Sequence, residues 1–382
     1  MAPHAPSRLS RGRAKGLAAA IVVALSSLGV VGTSPANAGT NTGLKFQVLA
    51  NLPGGTASYP QAVNNGGQTV GIGEFPRVGD TFTSHATLWS PHRRPLDLGT
   101  WPGGTYSTAE EINDVGTIVG FAQSAYGWNG GHAVVWDAAT HAMSELTPLV
   151  PPSSCGDGCT QPGTPASASG INSTGQISGM SQYSDGRPRA VVWDTTTSAP
   201  TDIGGLQGGY DFNQANAIND SGQVAGASNG SFDCGNEHAF VWSSTTGAVD
   251  IDNCDSGGNS VALSINSAGQ LVGFMYNFTD YCQRPFFWDP GTQRMTDIGS
   301  PRCGNGGSAN DINNKGQVVG NMDGHAFLWT STQVTNLDKF MPTGWTSNNA
   351  TSINDKGQIT GVATDIDFVQ HGFLLTLPRA YR

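Results

Sequence analysis

Residues 218–226 read Ile-Asn-Asp-Ser-Gly-Gln-Val-Ala-Gly, and the chain states this phrase seven times. The other copies begin at Val63-Asn64, Ile112-Asn113, Ile171-Asn172, Ile265-Asn266, Ile312-Asn313 and Ile353-Asn354. Successive Asn positions lie 49, 59, 47, 47, 47 and 41 residues apart. A period of that size marks a repeat fold, in which each unit buries its apolar face against the next. Each copy reads as strand, tight turn, strand. The Asn side chain can bond backbone two residues on, and the Gly three positions later supplies a positive φ.

A second phrase follows each turn: His85-Ala86-Thr87-Leu88-Trp89, His132 to Trp136, Arg189 to Trp193, His238 to Trp242, Arg284 to Trp288, His325 to Trp329 and His371 to Leu375. These near-continuous apolar runs suit strands buried on both faces. Several lead into a short strand ending Asp-Leu-Gly or Asp-Ile-Gly, as at Asp97, Asp202 and Asp297. One unit is therefore four short strands, the content of a propeller blade. The sequence predicts an all-β, seven-bladed β-propeller over 45–382, with an inserted loop at about 143–168. The seventh unit lacks a fourth strand, whereas Lys45-Phe46-Gln47-Val48-Leu49 resembles one, so the N-terminal strand is expected to complete the last blade.

Pairing of Ile-Asn-x-x-Gly-Gln with His-Ala-Phe-x-Trp, carried to the letter by His238-Ala239-Phe240 and His325-Ala326-Phe327, resembles the bacterial extracellular repeat named HAF for that tripeptide. The resemblance covers nearly all of the chain after the leader. It implies a secreted repeat protein and brings no catalytic residues with it.

Residues 1–38 read as a signal peptide: Arg8, Arg11, Arg13 and Lys15, an apolar stretch from Leu17 to Val31, then Ala36-Asn37-Ala38 as a cleavage site. The apolar stretch is short for a membrane span. Residues 39–44 form a short lead. Removing 1–38 takes 4 basic residues from 18, leaving 14 Lys and Arg against 28 Asp and Glu. That balance argues against nucleic acid or an anionic membrane as partner. Pro378 to Arg382 reads as neither sorting signal nor anchor, and a monomer is expected.

Six cysteines in a secreted chain read as disulfides. The repeat pairs Cys234 with Cys254 and Cys282 with Cys303, which occupy equivalent places one repeat apart; Cys155 and Cys159 remain. A zinc reading of the last two lacks a second ligand pair. Calcium at Asp114, Asp220 or Asp355 lacks enough oxygen ligands. No metal and no cofactor is expected.

Five histidines at one equivalent position per blade cannot converge on one substrate. With Arg189 and Arg284 as alternates, they read as structural donors to a neighbouring backbone carbonyl. The strand-end tryptophans read as packing between blades. Function is expected where copies differ, on the face of the second-to-third-strand loops: Asp80, Tyr126, Trp128, Tyr183, Asp185, Tyr210, Asp211, Phe232, Asp233, Tyr276, Asp280 and Tyr281. Aromatic faces with carboxylates suit a polysaccharide or protein ligand. Glu110, Glu111 and Asp311 are the only carboxylates on the channel-lining strands and the candidates for catalysis by an extracellular lyase or glycoside hydrolase. A non-catalytic binding module leads, the enzyme follows, and a structural surface protein without small ligand is the third reading.

Overall fold

The computed structural model describes residues 43–77, 79, 81–124, 127–150, 165–194, 199–206, 212–229, 236–299, 306–331 and 333–382, without the side chains of 127–129. The expected signal peptide at 1–38, Cys155, Cys159, Cys234 and Cys303 lie outside them.

Among the described residues, twenty-eight strands form seven four-stranded antiparallel sheets. The first blade is β2 (Ala57–Val63), β3 (Thr69–Glu74), β4 (Ser84–Trp89) and β5 (Leu96–Asp97). The second is β6 (Ser107–Ile112), β7 (Ile118–Ser124), β8 (Gly127–Trp136) and β9 (Met143–Glu145). The third is β10 (Ala166–Ile171), β11 (Gln176–Gln182), β12 (Pro188–Asp194) and β13 (Pro200–Asp202). The fourth is β14 (Asn213–Ile218), β15 (Val224–Asn229), β16 (Glu237–Ser243) and β17 (Gly247–Asp250). The fifth is β18 (Gly258–Ile265), β19 (Leu271–Asn277), β20 (Cys282–Asp289) and β21 (Arg294–Asp297). The sixth is β22 (Gly307–Ile312), β23 (Val318–Met322), β24 (His325–Thr330) and β25 (Gln333–Asn336). The seventh takes β26 (Thr346–Ile353), β27 (Gln358–Thr364) and β28 (Gln370–Thr376) from the end of the chain and β1 (Lys45–Val48) from its start.

Closure is direct. Lys45 pairs with Thr376 and Val48 with Phe373, and the Leu49 N–H donates to the Gly372 carbonyl at 2.8 Å. The inserted segment is shorter than the sequence suggests: Met143–Glu145 is the fourth strand of its blade and Ala166 opens the next.

The apolar core lies between blades. Ala62, Val70, Leu88 and Leu98 of the first blade pack with Ala109, Ile112, Ile118, Val134 and Trp136 of the second. Removing such surface from water is the main driving term, at roughly 1.5–3 kcal/mol for each large side chain. No sheet holds alone; each blade is one half of two cores.

Two glycines per repeat have separate reasons. The turn glycine has φ between 71° and 94° in every blade (Gly67, Gly116, Gly175, Gly222, Gly269, Gly316 and Gly357). The glycine closing the phrase is needed for close approach. A Cβ on Gly320 would sit 1.9 Å from the Ser308 carbonyl oxygen, and one on Gly120 2.0 Å from that of Thr108. That crowding coincides with a bulge in every first strand, between Ala309 and Asp311 in β22 and between Ala109 and Glu111 in β6. A bulge adds one residue and increases local twist. Replacing Gly320 with Ala therefore forces backbone apart rather than a side chain. Equilibrium urea unfolding should show a loss at the upper end of the about 1–3 kcal/mol typical of overpacking, or beyond it.

Candidate functional site

The seven Ile-Asn turns meet around one mouth of the central channel, and their asparagines form a closed ring of hydrogen bonds. Each Asn Nδ2 donates to the backbone carbonyl of the equivalent Asn in the next blade. Asn64 reaches Asn113 at 3.0 Å, Asn113 reaches Asn172 at 3.1 Å and Asn172 reaches Asn219 at 3.0 Å. Asn219 reaches Asn266 at 3.0 Å, Asn266 reaches Asn313 at 3.1 Å and Asn313 reaches Asn354 at 3.1 Å. Asn354 returns to Asn64 at 2.8 Å. The same amide serves its own turn: Asn219 Oδ1 accepts the Gln223 N–H at 3.0 Å, and its Nδ2 also donates to Gln223 Oε1 at 2.9 Å. The expected turn role is therefore present, and the link between blades is an addition that no single copy announces.

A second tier surrounds the ring. Asp114 accepts from the backbone and side chain of Asn65, and Asp355 likewise from Asn314. Asp220 accepts the Ser173 N–H. These carboxylates each cap a neighbouring turn.

Inside the ring is a funnel of about 210 Å³. Its base is lined by Glu111, Gly170, Ala217, Ser264, Asp311 and Ser352, one residue from each of blades two to seven. Glu110, one residue earlier, is not part of the wall; its carboxylate accepts from Thr108 Oγ1 at 3.0 Å, and burial raises its pKa. The bulge separates these two neighbours, so the three candidate carboxylates are not one group. Asp311 is held by four donors: Ser264 Oγ at 2.7 Å, Ser352 Oγ at 2.8 Å, and the Ile312 and Ile353 N–H groups at 2.8 Å. Burial raises the Asp311 pKa and those bonds oppose the rise. Glu111 accepts only the Ile112 N–H, at 2.9 Å. Burial first, then the Asp311 charge across the channel and Glu110 beside it, push Glu111 up to about 8.

The histidine positions are structural, but their partner is a carboxylate rather than the expected backbone carbonyl. His85 lies 2.8 Å from Asp97, His132 2.7 Å from Glu145 and His238 2.8 Å from Asp250. The acid faces the residue two after His across the third and fourth strands, as Asp97 faces Thr87. Blade six carries Asn336 there and blade seven Val48, so His325 turns to Asp338 and His371 to Asp365, each at 2.8 Å. Three of the six strand-end tryptophans expected between blades hydrogen-bond across them. Nε1 of Trp89, Trp136 and Trp193 donates to the Ala50, Leu98 and Thr147 carbonyls, at 2.7, 3.0 and 2.7 Å.

The expected loop cluster is only partly assembled. Tyr126, Tyr210, Asp211, Asp80, Phe232 and Asp233 lie outside the described residues, and Trp128 lies on β8 without a described side chain. Asp185 and Asp280 are engaged by Arg189 and Arg284, the two residues standing in place of His, at 3.0 and 3.2 Å. Tyr183 is exposed, with the Arg189 guanidinium 5.4 Å from its ring centre. Tyr276 is half-buried against Phe278. Missed by the sequence reading are the exposed loop tips Phe82, Phe278, Ile366 and Phe368 on that same face. Cys254 and Cys282 are disulfide-bonded. Among the described residues no group of three or more His, Cys, Asp or Glu could hold a metal, and no helix is long and apolar enough to cross a membrane.

No protein-family model matches the chain, and no curated protein matches it. Solved structures do. The β-propeller domain of the Trilobed protease from Pyrococcus furiosus is 9% identical with a TM-score of 0.52, over 84% of this chain and 94% of that one. A puromycin-hydrolyzing peptidase from Mycobacterium tuberculosis is 12% identical with the same TM-score, over 87% of this chain and 50% of that one. TolB from Acinetobacter baumannii is 12% identical over 81% of this chain, with a TM-score of 0.43. At these identities the likeness is of fold alone. The Pyrococcus propeller is described as an open velcro; here β1 and β28 close the ring.

Glu111 gives the site a pH signature. Its folded-state pKa, about 8, lies above the ordinary carboxylate value of 4.5. Between these two values the folded chain keeps a proton that the unfolded chain has released, so stability falls as pH rises. Urea unfolding from pH 5 to pH 9 should show Glu111→Gln gaining stability relative to the parent across that window, with no further gain above it.

Proposed function

We propose that the protein is a secreted, non-catalytic binding propeller whose ligand, an extracellular polysaccharide or protein surface, docks on the face of the second-to-third-strand loops. One observation carries this reading. Of the large apolar side chains exposed among the described residues, those in these loops share one face: Phe82, Tyr183, Phe278, Tyr281, Ile366, Phe368 and Val369. Phe368 is 90% exposed and Tyr281 75%. Large apolar groups held out at loop tips gain nothing from folding, and grouped on one face they suit a docking surface. Secretion, the HAF-type repeat and the pairings Cys234–Cys254, Cys282–Cys303 and Cys155–Cys159 belong to the same reading; bonded Cys254 and Cys282 support the first two pairs.

The enzyme reading has one observation in its favour. Two carboxylates face a shared channel, one with a raised pKa and one held by four donors, which is the raw material of glycoside cleavage. Against it, no Tyr, His, Lys or Arg lines the funnel beside them.

Sedimentation with insoluble chitin, cellulose and peptidoglycan tests the proposal, with reducing and unsaturated ends assayed in parallel. Retention on one polymer, reduced at least tenfold in a Tyr281→Ser, Phe368→Ser double variant that keeps the parent's thermal midpoint, is the expected result. Retention unaffected by those substitutions, or new chain ends lost in Glu111→Gln, would contradict it.

A further inference from the structure

The funnel at the asparagine ring is a second site, on the opposite face from the loop tips. Its wall carries Glu111, Asp311, Asp114, Asp220 and Asp355 and no Lys, Arg or His. Lys356, outside the wall, donates to the Asn65 carbonyl. Nearly every polar side chain at this mouth is engaged by the protein itself. The ring asparagines bond their own turn and the next blade, and the three outer aspartates cap neighbouring turns.

Asp311 and Glu111 occupy the same place in blades six and two, yet they are treated oppositely. Asp311 is flanked by Ser264 in the blade before and Ser352 in the blade after, and both hydroxyls donate to it. Glu111 is flanked at those positions by Ala62 and Gly170, which carry no donor. One Glu111 oxygen takes the Ile112 N–H; no described residue donates to the other. The result is a carboxylate facing an open cavity, with a second carboxylate across the channel and small residues on both sides. Desolvated negative charge is costly, and a ligand that supplies positive charge at the open Glu111 oxygen offsets that cost and the repulsion from Asp311.

We infer that the funnel binds a primary ammonium group, seated on Glu111 and facing Asp311. The chemistry selects among cations. One open oxygen matches a point donor such as ammonium, whereas a guanidinium needs a planar pair of acceptors. A hard metal ion needs about six or more oxygen ligands, and the described acidic groups do not gather into such a set. The volume of about 210 Å³ admits an alkylammonium or a lysine side chain, not a folded segment. Binding requires ionised Glu111, so it releases a proton below about pH 8 and tightens as pH rises toward that value. The groups acting on Glu111 are Asp311 on β22 and Glu110 on its own strand β6.

Calorimetric titration at fixed ionic strength tests this with n-butylammonium and Nα-acetyl-lysine amide, the first standing for free amines and the second for lysine side chains. Tetramethylammonium, butanol and sodium are the controls. Saturable binding of at least one primary amine, not matched by the controls, is expected, with affinity falling at least tenfold in Glu111→Gln. Ala62→Ser, which places a hydroxyl where Ser264 serves Asp311, should weaken binding while leaving the carboxylate in place. Proton release, read by repeating the titration at pH 7 in two buffers of different ionisation enthalpy, should vanish in Glu111→Gln. No binding of either amine to the parent, equal binding of tetramethylammonium, or unchanged affinity in both variants would overturn the assignment. None of these outcomes depends on the loop face, so failure here leaves the docking proposal standing.

Discussion

A ring of seven asparagine side chains, each bonding the backbone of the next blade, is the interaction on which the rest depends. Each amide joins a tight turn to its neighbour, and the last bond, from Asn354 to Asn64, joins the end of the repeat array to its beginning. A buried hydrogen bond contributes about 0.5–1.5 kcal/mol net, and leaving a partner unsatisfied costs about 1–3 kcal/mol. Seven such bonds are comparable to the whole stability margin of a domain, about 5–15 kcal/mol. The turn glycine and the closing glycine follow from this arrangement, because the strands must approach closely and bend at the bulge for the turns to meet.

Further out, two more sets of contacts recur in some of the blades. The tryptophans of blades one to three reach back to the preceding blade's exit, and the histidines of blades one, two and four tie the third strand to the fourth. Where the fourth strand loses its acid, the histidine finds another at Asp338 or Asp365 rather than go unpaired. That substitution of partner is the behaviour of a structural clamp. Glu111 is a further departure from symmetry: its neighbours Ala62 and Gly170 lack the hydroxyls that Ser264 and Ser352 give Asp311.

The period and the alternation of strand phrases make the fold legible, down to the N-terminal strand that closes blade seven. The asparagine ring was not legible, because turn chemistry within one copy already accounts for Asn and the partner lies a full repeat away. The histidine partner was misread for want of register: Asp97 and His85 are 12 residues apart and meet only once the third and fourth strands are aligned. Asp185 and Asp280 look free in the sequence, but a loop turning back on itself brings Arg189 and Arg284 onto them four residues later. Glu110 and Glu111 look equivalent until the bulge sends Glu111 to the cavity and Glu110 to Thr108, away from the cavity wall.

The most direct test of the account replaces ring asparagines one blade at a time by alanine and measures unfolding free energy in urea, with exposed Asn51 as reference. A ring that holds the blades together predicts a similar loss, about 1–3 kcal/mol, at Asn113, Asn219, Asn266 and Asn354, far from the near-zero change at an exposed position. Losses at the ring no larger than that reference would contradict the claim that the propeller is closed from its axis.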